Sequence, residues 1–154
     1  MELKVKKLHP DAVLPTRADP GSSGWDLYAA DNYCINPGQT VLVDTGLAME
    51  VPVGYEIQIR PRSGLAAKHG ITVLNTPGTV DASYRGPVKV LLYNTLSPCK
   101  SDFDRGFDDN TFWINKGDRI AQAVIMQLPP VEIVEVTELS DTQRGTGGFG
   151  STGK

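Results

Sequence analysis

Apolar and polar residues alternate with a period of two along much of this chain. In "TVLVDTGLAMEV" (Thr40 to Val51), the residues Val41, Val43, Thr45, Leu47, Met49 and Val51 fall on one face of an extended strand. "YEIQIR" (Tyr55 to Arg60) alternates again after the turn "PVGY". "PVKVLLYN" (Pro87 to Asn94), "RIAQAVIMQL" (Arg119 to Leu128) and "VEIVEVTEL" (Val131 to Leu139) predict further strands. Turn-forming residues separate them at "NPGQ", "VPVGY", "NTPG", "NKGD" and "LPP". Many short strands at this spacing predict an all-β sandwich, jelly roll or barrel.

One stretch leaves that period. "SGLAAKHG" (Ser63 to Gly70) predicts a helix of barely two turns, with Ser63 as N-cap and Gly70 as stop. "LNTPGTVDASYRG" (Leu74 to Gly86) predicts a hairpin around Asn75, Pro77 and Gly78. "SPCKSDFDRGFDDNTFWIN" (Ser97 to Asn115) is a long connection, and such loops are often functional or mobile. Its Phe103, Phe107, Phe112 and Trp113 suit a solvated loop poorly. An extended hairpin packed on its own domain explains them, and so does a surface for a protein partner. From Ser140 the chain is polar and Gly-rich, the composition of a disordered terminus.

Composition narrows the class. A length of 154 residues suits one domain, and 40% hydrophobic content is enough for a core. A net charge of -3 argues against a nucleic-acid partner. No apolar run approaches the roughly 20 residues of a membrane span, and the start does not read as a signal peptide. Cys34 and Cys99 stand far apart, as free thiols of a reducing, cytoplasmic compartment would. With His9 and His69 they form no zinc-ligand spacing.

Several polar residues sit where a β sequence has no need of them. Asp26 interrupts the apolar run "GWDLYAA", as a turn former or as a carboxylate near a cation. In "RPRSGLAAKHG", Arg60 and Arg62 precede Ser63 and Gly64 at a helix start, where free N–H groups favour anions. Two solvated arginines on a capped surface helix fit the same residues. Asp81 lies between Val80 and Ala82, a costly place without a partner. It suits a base that deprotonates water, or an ion pair with Arg85. Tyr84 could pack flat on a sugar or base. Gln122 in "KGDRIAQ" suits a ligand's polar edge or a satisfied edge strand. The tail "GFGSTGK" meets most of the phosphate-loop pattern G-x-x-x-x-G-K-[ST], but without the helix and Ser or Thr that such a loop requires.

Taken in order, "GWDLYAA", "RPRSGLA", "GTVDASYRG", "GDRIAQ" and "RGTGGFGSTG" closely resemble the motifs of the trimeric deoxyuridine triphosphate nucleotidohydrolases, the dUTPases. Each motif alone is weak; five in this order across nearly the whole chain are specific. The resemblance implies an all-β distorted jelly roll, β-clip-like, with one short helix. It implies a homotrimer that hydrolyses dUTP to dUMP and pyrophosphate with Mg2+, limiting uracil in DNA and supplying dUMP for dTMP synthesis. It divides the chain into a β domain over 1–139, with an insert at 97–115, and an arm over 140–154 that closes a neighbour's site.

The resemblance also implies roles. Asp81 becomes the base that activates water for attack on the α-phosphorus, and Gln122 stands beside it. Arg62, Ser63 and Gly64 hold phosphate. Asn75, Gly78, Thr79 and Val80 read uracil, and Tyr84 stacks under the deoxyribose and excludes a 2′-hydroxyl. Lys89 is a further substrate contact. Arg144 meets the γ-phosphate; Gly148, Phe149, Gly150 and Ser151 close over the nucleotide, with Phe149 on the base. Asp26 holds Mg2+ through a water. The insert is longer than the compact family pattern, which raises a second role in binding a protein. The rivals are a dCTP deaminase, a bifunctional deaminase–hydrolase of the same fold, and a non-catalytic regulator. The deaminase branch carries a catalytic Glu, whereas this chain has Asp81 and Tyr84.

Overall fold

In the computed structural model, residues 1–99 and 108–148 are described, and the statements below concern those. Ten strands and one helix follow in order: β1 Lys4–Lys7, β2 Gly24–Tyr28, β3 Tyr33–Ile35, β4 Thr40–Glu50, β5 Tyr55–Arg60, α1 Ser63–His69, β6 Ile71–Val73, β7 Gly78–Val80, β8 Pro87–Asn94, β9 Phe112–Ile114 and β10 Arg119–Gln127. They form two four-stranded sheets, ordered β1-β4-β8-β6 and β2-β10-β5-β7, and a small β3-β9 pair. All the pairings between these strands are antiparallel. This is the all-β architecture with one short helix that the strand pattern and the resemblance predicted.

The alternation works as read. Val43, Leu47, Met49, Val88, Val90 and Leu92 from the first sheet meet Leu27, Ile57, Ile59, Ala121 and Ala123 from the second in one core. Ile35 and Ile114 add the inward residues of the small pair. Leu47 and Ile57 are fully enclosed, so truncating either to Ala is expected to cost about 2–5 kcal/mol. The face of β4 survives a bulge: Asp44 pairs Lys89 and Leu47 pairs Val88, so Thr45 and Gly46 are extra residues. Two extra residues leave the side-chain parity unchanged. Gly46 takes φ +66°, and an added Cβ would come within 2.9 Å of the Ala12 Cβ.

Four expectations need correction. Val131 to Leu139 forms no strand in this chain; its apolar residues are exposed, Ile133 by 95% and Leu139 by 87%. The segment pairs with no strand among the described residues. Leu74 to Gly86 is no simple hairpin, because β6 joins β8 in one sheet and β7 joins β5 in the other. The helix begins at Ser63 with Arg62 as N-cap, in extended conformation and without a side-chain cap; Gly70 stops it in the left-handed region, as expected. Within Ser97 to Asn115, residues Phe112–Ile114 are a strand paired to β3. The loop's ends are tied by Asn110 Nδ2 to the Ser97 carbonyl at 2.9 Å, and by Asn94 Nδ2 to the Asn110 carbonyl at 2.8 Å.

Candidate functional site

Asp26 sits in the middle of β2, an outer strand of the second sheet. Its main chain is held on both sides, by Gln122 of β10 and by an isolated bridge to Thr16. The carboxylate is largely enclosed, with 17% side-chain exposure. Each oxygen meets a guanidinium: Arg62 Nε lies 3.2 Å from Oδ1 and Arg119 Nη1 donates to Oδ2 at 3.1 Å. Arg62 Nη1 also donates to the Arg119 main-chain carbonyl at 2.9 Å. The expected carboxylate near a cation is therefore present with two cations, and Arg119 was not foreseen. Its signal was available, since an Arg three residues before Gln122 returns to the Asp26 strand through antiparallel pairing.

Gln122 is directly opposite Asp26 and, on its other side, opposite Arg60. It belongs to an inner strand of the sheet, contrary to the edge-strand reading. Its Nε2 donates to the Pro61 carbonyl at 2.9 Å, which ties β10 to the chain just before Arg62. A Cβ on Gly24 would overlap Gln122 Oε1, so Gly24 provides the room for this side chain. Ser63 and Gly64, both exposed, open the helix beside Arg62. The first helical N–H groups have no intrahelical partner, so this corner offers donors, cations and one carboxylate together.

Arg60 turns from that corner. Its Nε and Nη2 both donate to Gln58 Oε1, at 3.0 and 2.5 Å. Gln58 in turn donates to Glu56 at 2.7 Å.

The other candidates lie at the opposite edge. β7 is the last strand of the sheet, with Gly78 and Val80 buried and Thr79 exposed. An added Cβ on Gly78 would stand 3.2 Å from Asn75 Nδ2, so the turn packs on its own strand. Asp81 follows at once and is exposed. Among the described residues nothing pairs with its carboxylate. The suggested Asp81–Arg85 pair is absent: Arg85 Nη1 donates instead to the carbonyls of Ala82 and Tyr84, at 2.7 and 2.9 Å. Tyr84 donates its hydroxyl to the Pro87 carbonyl at 3.0 Å and covers Gly86, where a Cβ would fall 2.5 Å from that oxygen. Its ring is fixed yet 43% exposed, a plate available for stacking.

Lys89 belongs to the first sheet and pairs with Asp44 at 3.6 Å. Arg144 is exposed and folds back on the Gly147 carbonyl at 2.8 Å. Gly148 ends the described tail; Phe149, Gly150, Ser151 and Lys154 lie outside the described residues. No group of three His, Cys, Asp or Glu residues able to hold a metal occurs among the described residues. Asp26 alone fits an ion whose shell is mostly phosphate and water, which is how magnesium is commonly bound.

The chain as a whole is similar to known proteins. The family model described as dUTPase matches residues 11–153. A deoxyuridine 5'-triphosphate nucleotidohydrolase of Nautilia profundicola is 53% identical over 154 residues, all of both chains. That of a Hydrogenobaculum species is 54% identical over 99% of each. Among solved structures, a dUTPase of Staphylococcus bacteriophage 80alpha with dUPNHPP superposes with a TM-score of 0.89 at 29% identity, covering 99% of each chain. A variant of the dUTPase from phage phi11 of S. aureus, described with a structural Mg(II) ion, gives 0.81 at 25% identity, covering 92% of this chain and 100% of that one.

Proposed function

This chain belongs to the dUTPase family, and we infer that it hydrolyses dUTP to dUMP and pyrophosphate at sites assembled from three copies of itself. The observation that carries the shared site is the separation of its parts. Asp26 lies in β2 and Asp81 directly follows β7, at opposite edges of the sheet β2-β10-β5-β7. Three strand spacings make about 14 Å, too far for both carboxylates to act on one triphosphate within a chain. A neighbouring copy brings its β7 edge to the corner of Asp26, Arg62 and Gln122.

The roles follow from the chemistry. Asp81, exposed and without a partner among the described residues, takes a proton from the water that attacks the α-phosphorus, and pyrophosphate leaves. Arg62 and the free N–H groups at Ser63 and Gly64 hold phosphate oxygens. Gln122 presents Oε1 while its amide stays on Pro61. Asn75, Gly78, Thr79 and Val80 offer uracil main-chain donors and acceptors, with little room for a thymine methyl. The fixed plate of Tyr84 supports the deoxyribose. Lys89 is a further contact, contributed from the first sheet. Arg144 and Gly148, with Phe149, Gly150 and Ser151, close the site from a third copy. Mg2+, when bound, offsets phosphate charge and makes the phosphorus more open to attack. Asp26 would hold it through a water.

The 131–139 segment supports the trimer. Its apolar residues are interrupted by Glu132, Glu135 and Glu138, and it pairs with no strand among the described residues. Strand β1 is a sheet edge carrying Lys4, Lys6 and Lys7. Beside it opens an apolar cavity of about 290 Å³ lined by Leu3, Val5, Pro15, Trp25 and Ile125. A neighbour's 131–139 fits both by edge pairing and by charge. The β domain therefore runs over 1–139 and the closing arm over 140–154.

A protein partner at 97–115 is a second proposal, favoured by Trp113 at 54% exposure on β9. Deleting 100–110 should then cost a partner in pull-downs or weaken the trimer; an intact trimer with every partner retained would end it. The free thiols Cys34 and Cys99 suit a reducing cytoplasm.

The deciding measurement is pyrophosphate release from each deoxynucleoside triphosphate with Mg2+, alongside Asp81→Asn. We expect turnover of dUTP alone, largely lost in the variant, and no ammonia from dCTP. Unchanged turnover in Asp81→Asn would remove the assigned base.

A further inference from the structure

We propose that Arg119 is a positioning residue that releases Arg62 for the triphosphate by serving as the standing counter-ion of Asp26. The inference rests on the dUTPase reading of Asp26 and Arg62. Arg62 is committed twice within the chain, to Asp26 Oδ1 at 3.2 Å and to the Arg119 carbonyl at 2.9 Å. To turn its guanidinium to phosphate, Arg62 has to loosen its hold on Asp26. Asp26 is only 17% exposed, so water cannot readily replace the lost cation. Beside an incoming polyanion, an uncompensated carboxylate would also repel the ligand.

Arg119 answers both problems. Its Nη1 occupies the other carboxylate oxygen at 3.1 Å, so it need not move when Arg62 does. Its side chain is about half exposed, which lets it remain solvated while it holds that oxygen. The main chain at Arg119 is also distorted. The register with β2 shifts between Arg119 and Ala121, and the carbonyl at this bulge is the one that receives Arg62. One residue thus holds Asp26 with its side chain and parks Arg62 with its main chain.

The consequence is specific. With Arg119→Gln, Arg62 becomes the sole counter-ion of Asp26 and is retained there. Triphosphate binding then weakens, while the attack of water at Asp81 is untouched. The expected result is a KM for dUTP raised on the order of tenfold with kcat within about threefold. Arg119→Lys keeps a charge and should recover most of the loss. In an Asp26→Asn background, Arg119→Gln should add little, because the carboxylate it serves is gone.

The experiment measures kcat and KM for the wild type, Arg119→Gln, Arg119→Lys, Asp26→Asn and the double variant, with melting temperatures. An unchanged KM in Arg119→Gln overturns the proposal. So does a KM effect of equal size in the Asp26→Asn background, which marks a purely structural role. If Arg119→Gln does not fold, Arg119→Met, equally uncharged, takes its place in both backgrounds and is read by the same two outcomes. A wild type without dUTP turnover fails the dUTPase reading instead, so the two failures are distinguishable.

Discussion

Asp26, in β2, and Asp81, directly after β7, stand at opposite edges of one four-stranded sheet, with β10 and β5 between those strands. Asp26 is enclosed by two arginines, whereas Asp81 is exposed and unpaired among the described residues. One carboxylate is held by its own chain; the other is open, and on the proposed reading it serves a site shared with a second chain.

That separation predicts complementation. Asp81→Asn and Arg62→Ala should each abolish turnover as pure trimers. Refolded together in equal amounts, they should recover about a quarter of wild-type activity, since a site needs one intact donor of each kind from different chains. Activity in the mixture no greater than in the separate variants would show that each site draws Arg62 and Asp81 from one chain.

Gly24 controls Gln122. A Cβ there overlaps the movable end of the Gln122 side chain and stands 3.2 Å from its Cβ, so Gly24→Ala should fold with a modestly lowered melting temperature. The displaced Gln122 would lose its bond to the Pro61 carbonyl and its place opposite Asp26. Turnover should fall by roughly 10²-fold or more, as misplaced catalytic groups commonly cause. Wild-type turnover in the folded variant would remove Gln122 from the mechanism.

Much of this was legible in the sequence, and the misses share a cause. The alternation of Thr40 to Val51 reports one face of a strand, and that face is buried. The helix stop at Gly70 is local chemistry and was read correctly. Pairing partners are not local. Leu74 to Gly86 carries every sign of a hairpin, yet β6 and β7 separate into two sheets. Arg119 was missed because its meaning lies in a strand more than ninety positions away. Val131 to Leu139 has a strand's sequence but no mate among the described residues.

Metal binding should follow the nucleotide. Among the described residues no group of three metal-ligating side chains occurs, and Asp26 already carries two guanidiniums. Mg2+ titrated alone should give no saturable binding at this site, because a single shared carboxylate supplies too few oxygens. With a non-hydrolysable dUTP analogue present, binding should appear, and Asp26→Asn should raise the Mg2+ concentration needed for half-maximal turnover. Tight binding of Mg2+ to the free protein, lost in Asp26→Asn, would contradict this order.

The last two segments of the chain should fail in different ways. Residues 131–139 present exposed Val131, Ile133, Val134, Val136 and Leu139, which on the proposed reading are buried against a neighbour's β1 edge. Burying such side chains is worth about 1.5–3 kcal/mol each before entropy is counted, enough for the segment to matter to assembly. Residues from Arg144 onward hold one large apolar side chain, Phe149, and on the proposed reading they cover the nucleotide. Ending the chain after Asp141 should therefore leave native mass and melting temperature near wild type while turnover collapses. Ending it after Pro130 should lower the melting temperature and shift the native mass from three chains toward one. If both truncations remain trimeric and equally stable, the 131–139 segment does not join the copies, and the trimer must be held by the sheet faces alone.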